Sequence, residues 1–248
     1  MSSHRTVALV TGASAGMGAE FCRQLADRCD AIIAVARRED RLDSLAAELA
    51  ERVELHPVAA DLNTVDGVAR AMEALRQKGP VDYLVNNAGF STFGEFADLD
   101  IQGQRDMVGL HIDATITLCR AAIPFMLERG GGAIINVSSV GAFVPGRGLA
   151  VYGATKAFLN YFSQALQAEL AGTGIAVQAL CPGYTHTEFH DPLVDFDKSR
   201  IAQEMWMESA EVVAASLAAL GSGAVLVVPG EGNLELARSG SRHQLDAL

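Results

Sequence analysis

The sequence predicts an α/β fold, a single domain built on a doubly wound parallel sheet with helices on both faces. Short β-branched apolar runs alternate with longer helical patterns along the whole chain, which is typical of a parallel sheet covered on both sides. The 248 residues are at the upper end of a single domain and can bury a large core. No repeat, low-complexity tract or long linker divides the chain, so one domain is expected over residues 1–248.

The elements follow one another in a regular order. The runs predicted to be buried strands are Thr6–Val10, Ala31–Val35, Val81–Val85, Ala133–Val137, Ile175–Leu180 and Ala224–Val228. Val53–Val58 is a weaker strand candidate because Pro57 interrupts it. The predicted helices are Leu42–Glu51, Val65–Gln77, Arg105–Leu127, Val151–Ala171 and Ala210–Leu220. The tail Gly230–Leu248 is expected to be poorly ordered or to cover a neighbouring subunit.

Charge and composition exclude several function classes. The net charge of −11 argues against nucleic acid or an anionic membrane as a main partner, and no apolar run approaches the length that crosses a bilayer. The scattered Cys22, Cys29, Cys119 and Cys181 lack metal-ligand spacing, so no metal site is expected. Small buried thiols indicate a reducing compartment, and together with the absence of a signal-peptide pattern they predict a cytoplasmic protein.

Glycines cluster where the first predicted strand ends. Gly12, Gly16 and Gly18 have Gly-x-x-x-Gly-x-Gly spacing, and a helix is predicted from about Ala19. Glycines at a strand-to-helix turn let the backbone approach a pyrophosphate, which then lies at the positive end of the helix. A purely structural turn is the alternative, but the preceding strand and following helix favour a dinucleotide site. The loop also contains Ser14 and Met17.

The end of the second strand indicates which dinucleotide. An NAD site usually carries an acidic residue there, whereas this chain has Ala36 followed by Arg37 and Arg38. A guanidinium binds a ribose 2′-phosphate through charge-assisted hydrogen bonds, and a carboxylate would repel it. NADP(H) is therefore predicted in preference to NAD(H). The alternative is that both arginines are a solvated start of the next helix.

A phenol and an amine share one face of a predicted helix. Tyr152 and Lys156 are four residues apart, about one helical turn, and Ser139 precedes the tyrosine by thirteen residues. An ammonium held close to a phenol lowers the phenol pKa and makes it a usable proton donor or acceptor. Alone, the spacing is common and could be chance. The surrounding motifs favour an active site in which the serine hydroxyl holds a carbonyl oxygen.

With the glycine motif, Asn86–Gly89, Ser139 and the Tyr152–Lys156 pair in this order, the chain resembles the short-chain dehydrogenase/reductase family. The similarity runs from the first strand to about Val228. It implies a Rossmann-type domain of about seven parallel strands and hydride transfer between a nicotinamide and a small-molecule carbonyl or alcohol substrate.

The resemblance also implies residue roles. Tyr152 is the general acid for reduction and the base for oxidation, Lys156 lowers its pKa and binds the nicotinamide ribose, and Ser139 holds the substrate oxygen. Ser138 is expected to point to the other face of its strand. The further residues implied at the cofactor are Asp61, Leu62, Asn87, Ala88, Gly89, Pro182, Gly183, Thr185 and Thr187. Asp61 would contact the adenine and Thr187 the nicotinamide amide.

One position departs from the family pattern. Many members have an asparagine in the long fourth helix that anchors a water next to the lysine, and here His111 takes its place. Either His111 fills the site while backbone atoms hold the water, or the imidazole bonds the water and relays protons, which would make turnover pH-sensitive. A third reading is that the replacement disables catalysis.

The substrate is expected above the nicotinamide, among the segments that follow strands four, five and six. Besides Ser139, its predicted contacts are Phe90, Val140, Phe143, Leu149, Tyr184, His186 and Trp206. A mobile lid is predicted at about 188–208, a stretch that contains Phe196, Met205 and Met207. The alternative is that its apolar residues pack against a neighbouring subunit. A medium-sized apolar ketone or the matching alcohol is the expected substrate.

Two helices, Arg105–Leu127 and Val151–Ala171, are apolar beyond one stripe, which predicts a homodimer or homotetramer. Two other functions stay open. A catalytically impaired NADP(H)-binding sensor would not need Ser139, Tyr152 and Lys156. An epimerase or dehydratase would use the same Tyr and Lys, but such enzymes are generally longer than this chain.

Overall fold

The structure, a computed structural model, describes residues 5–191 and 201–246. Within these residues, seven strands form a parallel sheet in the order β3-β2-β1-β4-β5-β6-β9, and β7 pairs with β8 apart from it. The strands are β1 (Val7–Thr11), β2 (Ala31–Ala36), β3 (Glu54–Ala59), β4 (Tyr83–Asn86), β5 (Gly132–Val137), β6 (Ile175–Leu180), β7 (Tyr184–His186), β8 (Trp206–Glu208) and β9 (Leu226–Val227). The predicted doubly wound α/β fold is confirmed.

Helices cover both faces of the sheet. They are α1 (Gly16–Leu25), α2 (Glu39–Leu49), α3 (Val65–Lys78), α4 (Ile101–Val108), α5 (Ala114–Arg129), α6 (Ala150–Glu169), α7 (Ser209–Ala219) and α8 (Glu231–Asp246). One core layer contains apolar side chains of α1, α2 and α7, and the opposite layer contains those of α3, α5 and α6. Strands β1 and β2 are buried along their whole length, as parallel strands between two helical layers must be.

The strand order positions the functional site. From β1 the chain winds outward to β3, and from β4 it winds outward in the other direction to β9. The order therefore reverses between β1 and β4, and the crevice at the carboxyl ends of these strands is where doubly wound sheets bind ligands. Each predicted site motif follows a strand at this edge or, for Tyr152 and Lys156, lies on α6.

Several predicted boundaries need correction. The first helix begins at Gly16 rather than Ala19, and the fourth begins at Ile101 because Asp100 caps it by accepting a hydrogen bond from Gly103 N at 2.8 Å. The last strand is shorter than Ala224–Val228. The weak candidate around Pro57 does form a strand, since β3 lies at the edge of the sheet where a missing N–H donor is tolerated.

The C-terminal tail is not poorly ordered in its described part. Helix α8 buries Asn233 and Ala237, and Asn233 donates a hydrogen bond to the carbonyl of Pro229 at 3.1 Å. Gln244 donates to the carbonyl of Phe143 at 2.9 Å. The tail therefore packs on its own domain beside the segment that follows β5.

Helix α4, a π-helical turn at Gly109–Asp113 and α5 form one continuous helix. Its 29 residues, with mean hydropathy 1.3 in the most apolar stretch, would suffice to cross a bilayer by length and composition, contrary to the expectation from the sequence. In the fold, Leu118, Ala122 and Met126 are buried in the core, so this is a core helix of the domain. Its outer face exposes Ile101, Val108, Ile116 and Leu127.

The predicted lid at 188–208 lies partly outside the described residues, including Phe196. Its described ends are short 3-10 turns at Glu188–His190 and Gln203–Met205, followed by β8. Strand β8 pairs with β7 in parallel, so that Trp206 lies opposite Tyr184. The C-terminal end of the predicted lid is therefore hydrogen-bonded, through β8, to the segment that follows β6. All four cysteines are free and buried, as predicted.

Candidate active site

The glycine turn after β1 has the geometry of an anion cradle. Gly12 and Gly16 have φ of +66° and +51°, a conformation that side chains with a Cβ rarely adopt. A Cβ at Gly18 would lie 2.2 Å from the carbonyl oxygen of Gly12, so only glycine allows this close approach. Ala15, the N-cap of α1, makes no side-chain capping bond. The first N–H groups of α1 therefore fit the pyrophosphate of a dinucleotide.

Thr11 and Asn87 hold this turn in place. The Thr11 hydroxyl oxygen accepts hydrogen bonds from the backbone N–H of Asn87 at 2.9 Å and of Ala88 at 3.0 Å. The Asn87 side chain donates to the carbonyl of Thr11 at 2.9 Å. Asn87 thus supports the cradle by joining the ends of β1 and β4. The sequence motif included Thr11, but its bridging role depends on strand adjacency and was missed.

Basic residues meet a carboxylate beside the cradle. The Arg38 guanidinium donates to Ser14 Oγ at 3.1 and 3.2 Å and to Glu188 Oε2 at 2.9 Å. Arg41 donates to Glu188 Oε1 at 2.5 Å. Arg37 is exposed, and no hydrogen bond or ion pair of its guanidinium is found within residues 5–191 and 201–246. Of the two predicted arginines, Arg38 reaches the site.

This basic cluster fits the 2′-phosphate of NADP(H), because it already holds an anionic carboxylate through guanidinium and hydroxyl donors. Arg41 and Glu188 were not predicted from the sequence. Arg41 lies one turn after Arg38 on α2, so helical spacing was a usable signal for it. Glu188 is far away in sequence, and nothing local to it indicated the contact.

Ser139, Tyr152 and Lys156 come together next to the cradle. Ser139 follows β5, and its hydroxyl accepts a hydrogen bond from Gly141 N at 3.0 Å. Ser139 and Tyr152 are neighbours at this point, because a Cβ at Gly141 would lie 3.4 Å from Ser139 Oγ and 3.5 Å from Tyr152 Cε1. The Lys156 ammonium nitrogen lies 5.6 Å from the centre of the Tyr152 ring and donates to the carbonyl of Val137 at 2.8 Å. Ser138 is buried and donates to the carbonyl of Lys156 at 2.9 Å. The two adjacent serines thus serve different partners.

Burial controls the protonation of this group. It raises the pKa of Tyr152 to about 12, and the neighbouring Ser139 hydroxyl only partly opposes that shift. It lowers the pKa of Lys156 to about 7. The expectation that the ammonium lowers the phenol pKa is therefore wrong for this structure. Desolvation disfavours both charged forms, and the lysine bonds a backbone carbonyl instead of the phenol oxygen.

His111 is buried at the π-helical turn and has partners on both ring nitrogens. Nε2 lies 3.3 Å from the backbone N–H of Phe90, and Nδ1 lies 2.9 Å from Thr155 Oγ1. A Cβ at Gly89 would lie 2.7 Å from Nε2, so that glycine makes room for the imidazole. Burial, and after it the charge of Lys156, holds the pKa of His111 well below its ordinary 6.5.

The predicted substrate residues divide into two regions. A narrow gap beside Tyr152, too small to hold a water molecule, is lined by Leu149 and also by Thr92, Phe96, Leu99, Gln104 and Val151. Tyr184, His186 and Trp206 form an aromatic group in which the His186 and Trp206 rings stack at 4.8 Å. Phe143 lies elsewhere, in an open groove of about 560 Å³ against α8. The prediction for Phe143 therefore does not match its position.

Two aromatic residues lie beside Tyr152 and His111. The Phe189 ring is 6.0 Å from Tyr152 and the Phe90 ring is 6.3 Å from His111. Val140 is buried, and its N–H donates to the carbonyl of Pro182 at 2.9 Å. Phe90 thus lies near His111, while Val140 joins the segments after β5 and β6.

The remaining predicted cofactor residues also lie along the carboxyl edge of the sheet. Asp61 follows β3 and accepts a hydrogen bond from Asn63 N at 3.0 Å, and Leu62 beside it is buried. Thr185 is buried and donates to the carbonyl of Gly183 at 3.3 Å. Thr187 packs on the glycine turn, because a Cβ at Gly16 would lie 3.0 Å from its Cγ2. Met17 packs against the core beneath the turn.

Comparisons with known proteins agree with this arrangement. The family model of short chain dehydrogenase matches residues 6–198. A probable NADP-dependent dehydrogenase of Haemophilus influenzae is 38% identical over 201 residues, 80% of this chain and 79% of that protein. A short-chain dehydrogenase from Sphingobium yanoikuyae, solved in complex with NADPH, has TM-score 0.86 and 34% identity over 98% of this chain and 95% of its own.

A solved alcohol dehydrogenase from Comamonas testosteroni, described as specific for bulky-bulky ketones, has TM-score 0.80 and 32% identity, with 96% of this chain and 94% of that chain covered. The matched region contains the glycine turn, Ser139, Tyr152 and Lys156. By sequence, fold and the position of these residues, the chain belongs to the short-chain dehydrogenase family of oxidoreductases.

Proposed function

We propose that the protein is an NADP(H)-dependent oxidoreductase that interconverts a ketone or aldehyde with an alcohol and uses Tyr152 as its general acid and base. The observation that carries this proposal is the position of Ser139 beside Tyr152: a Cβ at Gly141 would lie 3.4 Å from Ser139 Oγ and 3.5 Å from Tyr152 Cε1, next to a glycine turn that fits a dinucleotide. Two neighbouring hydroxyls are what a carbonyl oxygen needs, one to position it and one to protonate it.

A bound nicotinamide supplies or accepts the hydride, which no side chain can do. Ser139 then donates a hydrogen bond to the substrate oxygen, and Tyr152 donates its proton to the same oxygen in the direction of reduction. With a pKa of about 12, the phenol keeps its proton at neutral pH and is still more acidic than the alcohol product. The phenolate that would accept a proton in the reverse reaction is therefore scarce at neutral pH.

NADP(H) is proposed over NAD(H) because of the basic cluster of Ser14, Arg38 and Arg41. Together these side chains present guanidinium and hydroxyl donors at the end of β2, where an NAD site would carry a carboxylate. The NADPH bound to the solved relative from Sphingobium yanoikuyae supports this assignment. A Michaelis constant for NADH equal to or below that for NADPH would contradict it.

The substrate proposed is a medium-sized apolar ketone or aldehyde, or the matching alcohol. The rings of Phe189 and Phe90 lie 6.0 Å from Tyr152 and 6.3 Å from His111. Apolar and aromatic walls are typical of small-molecule sites. The ketone-specific relative from Comamonas testosteroni supports the same substrate class.

We further propose that two or four copies associate through α4, α5 and α6. These helices expose Ile101, Val108, Ile116, Leu127 and Tyr161, with Tyr161 exposed by 77%. Their opposite faces are already buried in the core, so the exposed apolar faces suit a contact between subunits. The buried free thiols fit a reducing compartment, which supports a cytoplasmic protein.

The test is a screen of aliphatic, aromatic and bulky ketones in which NADPH absorbance is followed. Turnover on any of them by the wild-type protein, with loss of turnover in Tyr152→Phe, is the expected result. Tight NADPH binding without turnover on any ketone or aldehyde would favour the alternative, a cofactor sensor. Turnover that survives Tyr152→Phe would remove the tyrosine from the mechanism.

A further inference from the structure

We propose that Glu188 is a selectivity residue of the cofactor site, whose carboxylate occupies the arginines that bind the 2′-phosphate and must leave them when NADP(H) binds. This inference rests on the proposed NADP(H) site. It concerns a residue of the segment after β7 and not the arginines themselves, whose role follows from the end of β2.

The first support is the way in which both carboxylate oxygens are used. Glu188 Oε2 accepts from Arg38 at 2.9 Å and Oε1 accepts from Arg41 at 2.5 Å. The same Arg38 also donates to Ser14 on the glycine turn. A carboxylate in this position has the same charge sign as a bound phosphate monoester and accepts hydrogen bonds from the same donors. The two guanidinium groups accordingly lower the pKa of the Glu188 carboxyl.

The second support is the position of the neighbouring residues in the same segment. Thr187 packs against the turn at Gly16, and the Phe189 ring lies 6.0 Å from Tyr152. Three consecutive residues therefore contact the phosphate cradle, the basic cluster and the catalytic tyrosine. Any displacement of Glu188 from the arginines is transmitted to Thr187 and Phe189 through the backbone that joins them.

The two cofactors differ in what they require from this contact. The 2′-phosphate of NADP(H) needs Arg38 and Arg41, and its charge repels a carboxylate that stays there. NAD(H) carries a ribose hydroxyl at that position and leaves the ion pairs intact. Glu188 thus weakens NADP(H) binding relative to NAD(H) and moderates the selectivity that the arginines create.

The expected size of this effect is modest. Glu188, Arg38 and Arg41 have side chains exposed by 49%, 43% and 44%, and ion pairs at such exposure are weak and screened by salt. Releasing the arginines should therefore tighten NADPH binding by about 3- to 10-fold. The gain should shrink as ionic strength rises.

The experiment measures dissociation constants of NADPH and NADH for the wild-type protein and Glu188→Gln, using quenching of the single tryptophan, Trp206. We expect the constant for NADPH to fall about 3- to 10-fold and that for NADH to change by less than about 2-fold. Glu73→Gln is the matched control. It removes the same charge from a carboxylate exposed by 50% that pairs with Arg76 on α3.

Unchanged NADPH binding in Glu188→Gln, equal tightening of both cofactors, or the same gain in Glu73→Gln would overturn the proposal. The proposed NADP(H) preference is judged separately, from the ratio of the two constants in the wild-type protein. A wild-type ratio that favours NADH would therefore reject that preference, whereas the response to Glu188→Gln decides the role of Glu188. A thermal melt of each variant checks that it folds.

Discussion

The Nδ1 atom of His111 lies 2.9 Å from the hydroxyl oxygen of Thr155, which itself donates to the carbonyl of Tyr152 at 2.8 Å. Because Nε2 accepts from the backbone N–H of Phe90, the neutral ring carries its proton on Nδ1 and donates it to Thr155. One imidazole thus joins the segment after β4 to the helix that carries Tyr152. Both nitrogens are engaged by protein groups, which favours the alternative in which His111 fills the site over the one in which its imidazole relays protons through a water.

The first prediction concerns the bridge at His111. His111→Leu leaves the N–H of Phe90 and the hydroxyl of Thr155 without this partner, and unpaired buried polar groups destabilise by about 1–3 kcal/mol. We expect that loss in the free energy of unfolding measured with urea, together with lower turnover. His111→Asn, which keeps a donor and an acceptor, should retain more of both. Equal free energies of unfolding for His111→Leu and the wild type would show that the His111 hydrogen bonds do not stabilise the fold.

A second prediction follows from the low pKa of His111 and concerns stability against pH. The unfolded chain takes up a proton as pH falls through about 6.5, while the buried imidazole stays neutral because its pKa is well below 6.5. Stability is therefore lost as pH falls below about 6.5, by up to about 1.4 kcal/mol per pH unit from this one group. This loss of stability continues down to the pKa that His111 has in the folded protein, because below that pH the histidine is protonated in both states.

His111→Asn should remove this share of the pH dependence. The measurement is the free energy of unfolding of both proteins at about pH 7.5 and at about pH 5.5, on either side of the ordinary histidine pKa. The difference between the two pH values should be smaller for the variant. The other histidines are present in both proteins and cancel in the comparison. An identical pH dependence would mean that the folded imidazole titrates normally.

The third prediction tests Tyr152 as the proposed proton donor. Tyr152→Phe removes the hydroxyl but keeps the ring, so the packing against Phe189 and His111 should survive. Turnover should fall by about 10²- to 10⁴-fold, the usual contribution of a positioned acid or base, while NADPH binding measured by fluorescence stays within about 3-fold. Tyr161→Phe on the same helix, exposed by 77%, is the control and should keep full turnover.

The fold was predictable because its signals are local and repeated. Buried β-branched runs and amphipathic helices placed six strands of the parallel sheet, and Pro57 did not prevent the seventh because β3 is an edge strand. Helix α8 was missed, since it is polar in composition and is held by single contacts such as the hydrogen bond from Gln244 to the Phe143 carbonyl. Such contacts join distant parts of the chain and produce no periodic pattern in the sequence.

The same distinction applies to the site. The glycine turn and the Tyr152–Lys156 pair have fixed local spacing and could be predicted. Glu188 and Thr155 acquire their partners only when β2, β6 and the helices assemble. The direction of the Tyr152 pKa shift was also misjudged. Helical spacing indicates that an ammonium is near, but only the folded environment shows that burial dominates and that Lys156 donates to the Val137 carbonyl.

A fourth prediction separates the two adjacent arginines. Arg38→Ala removes donors that reach Ser14 and the place proposed for the 2′-phosphate, so NADPH affinity should fall by about 10- to 100-fold, as expected for hydrogen bonds to a charged group. NADH affinity should change little. Arg37→Ala removes the same charge from an exposed neighbour and serves as the control. If both variants lose NADPH affinity equally, general electrostatic attraction explains the effect better than a specific contact.

The last prediction concerns the subunit contact. Tyr161 is exposed by 77% on the outer face of α6, which is also apolar at Ala157 and Phe158, while Leu159 and Leu166 of the same helix are buried in the core. If copies associate through this face, Tyr161→Asp buries an unpaired charge in the contact, which is unfavourable. The oligomer should then dissociate to a smaller species, which size-exclusion chromatography with light scattering would detect.

Val65→Asp is the control. It places the same charge on a residue exposed by 88% at the start of α3 and should leave the assembly intact. Dissociation by both variants would indicate a general charge effect, and an unchanged mass for Tyr161→Asp would place the contact on another face.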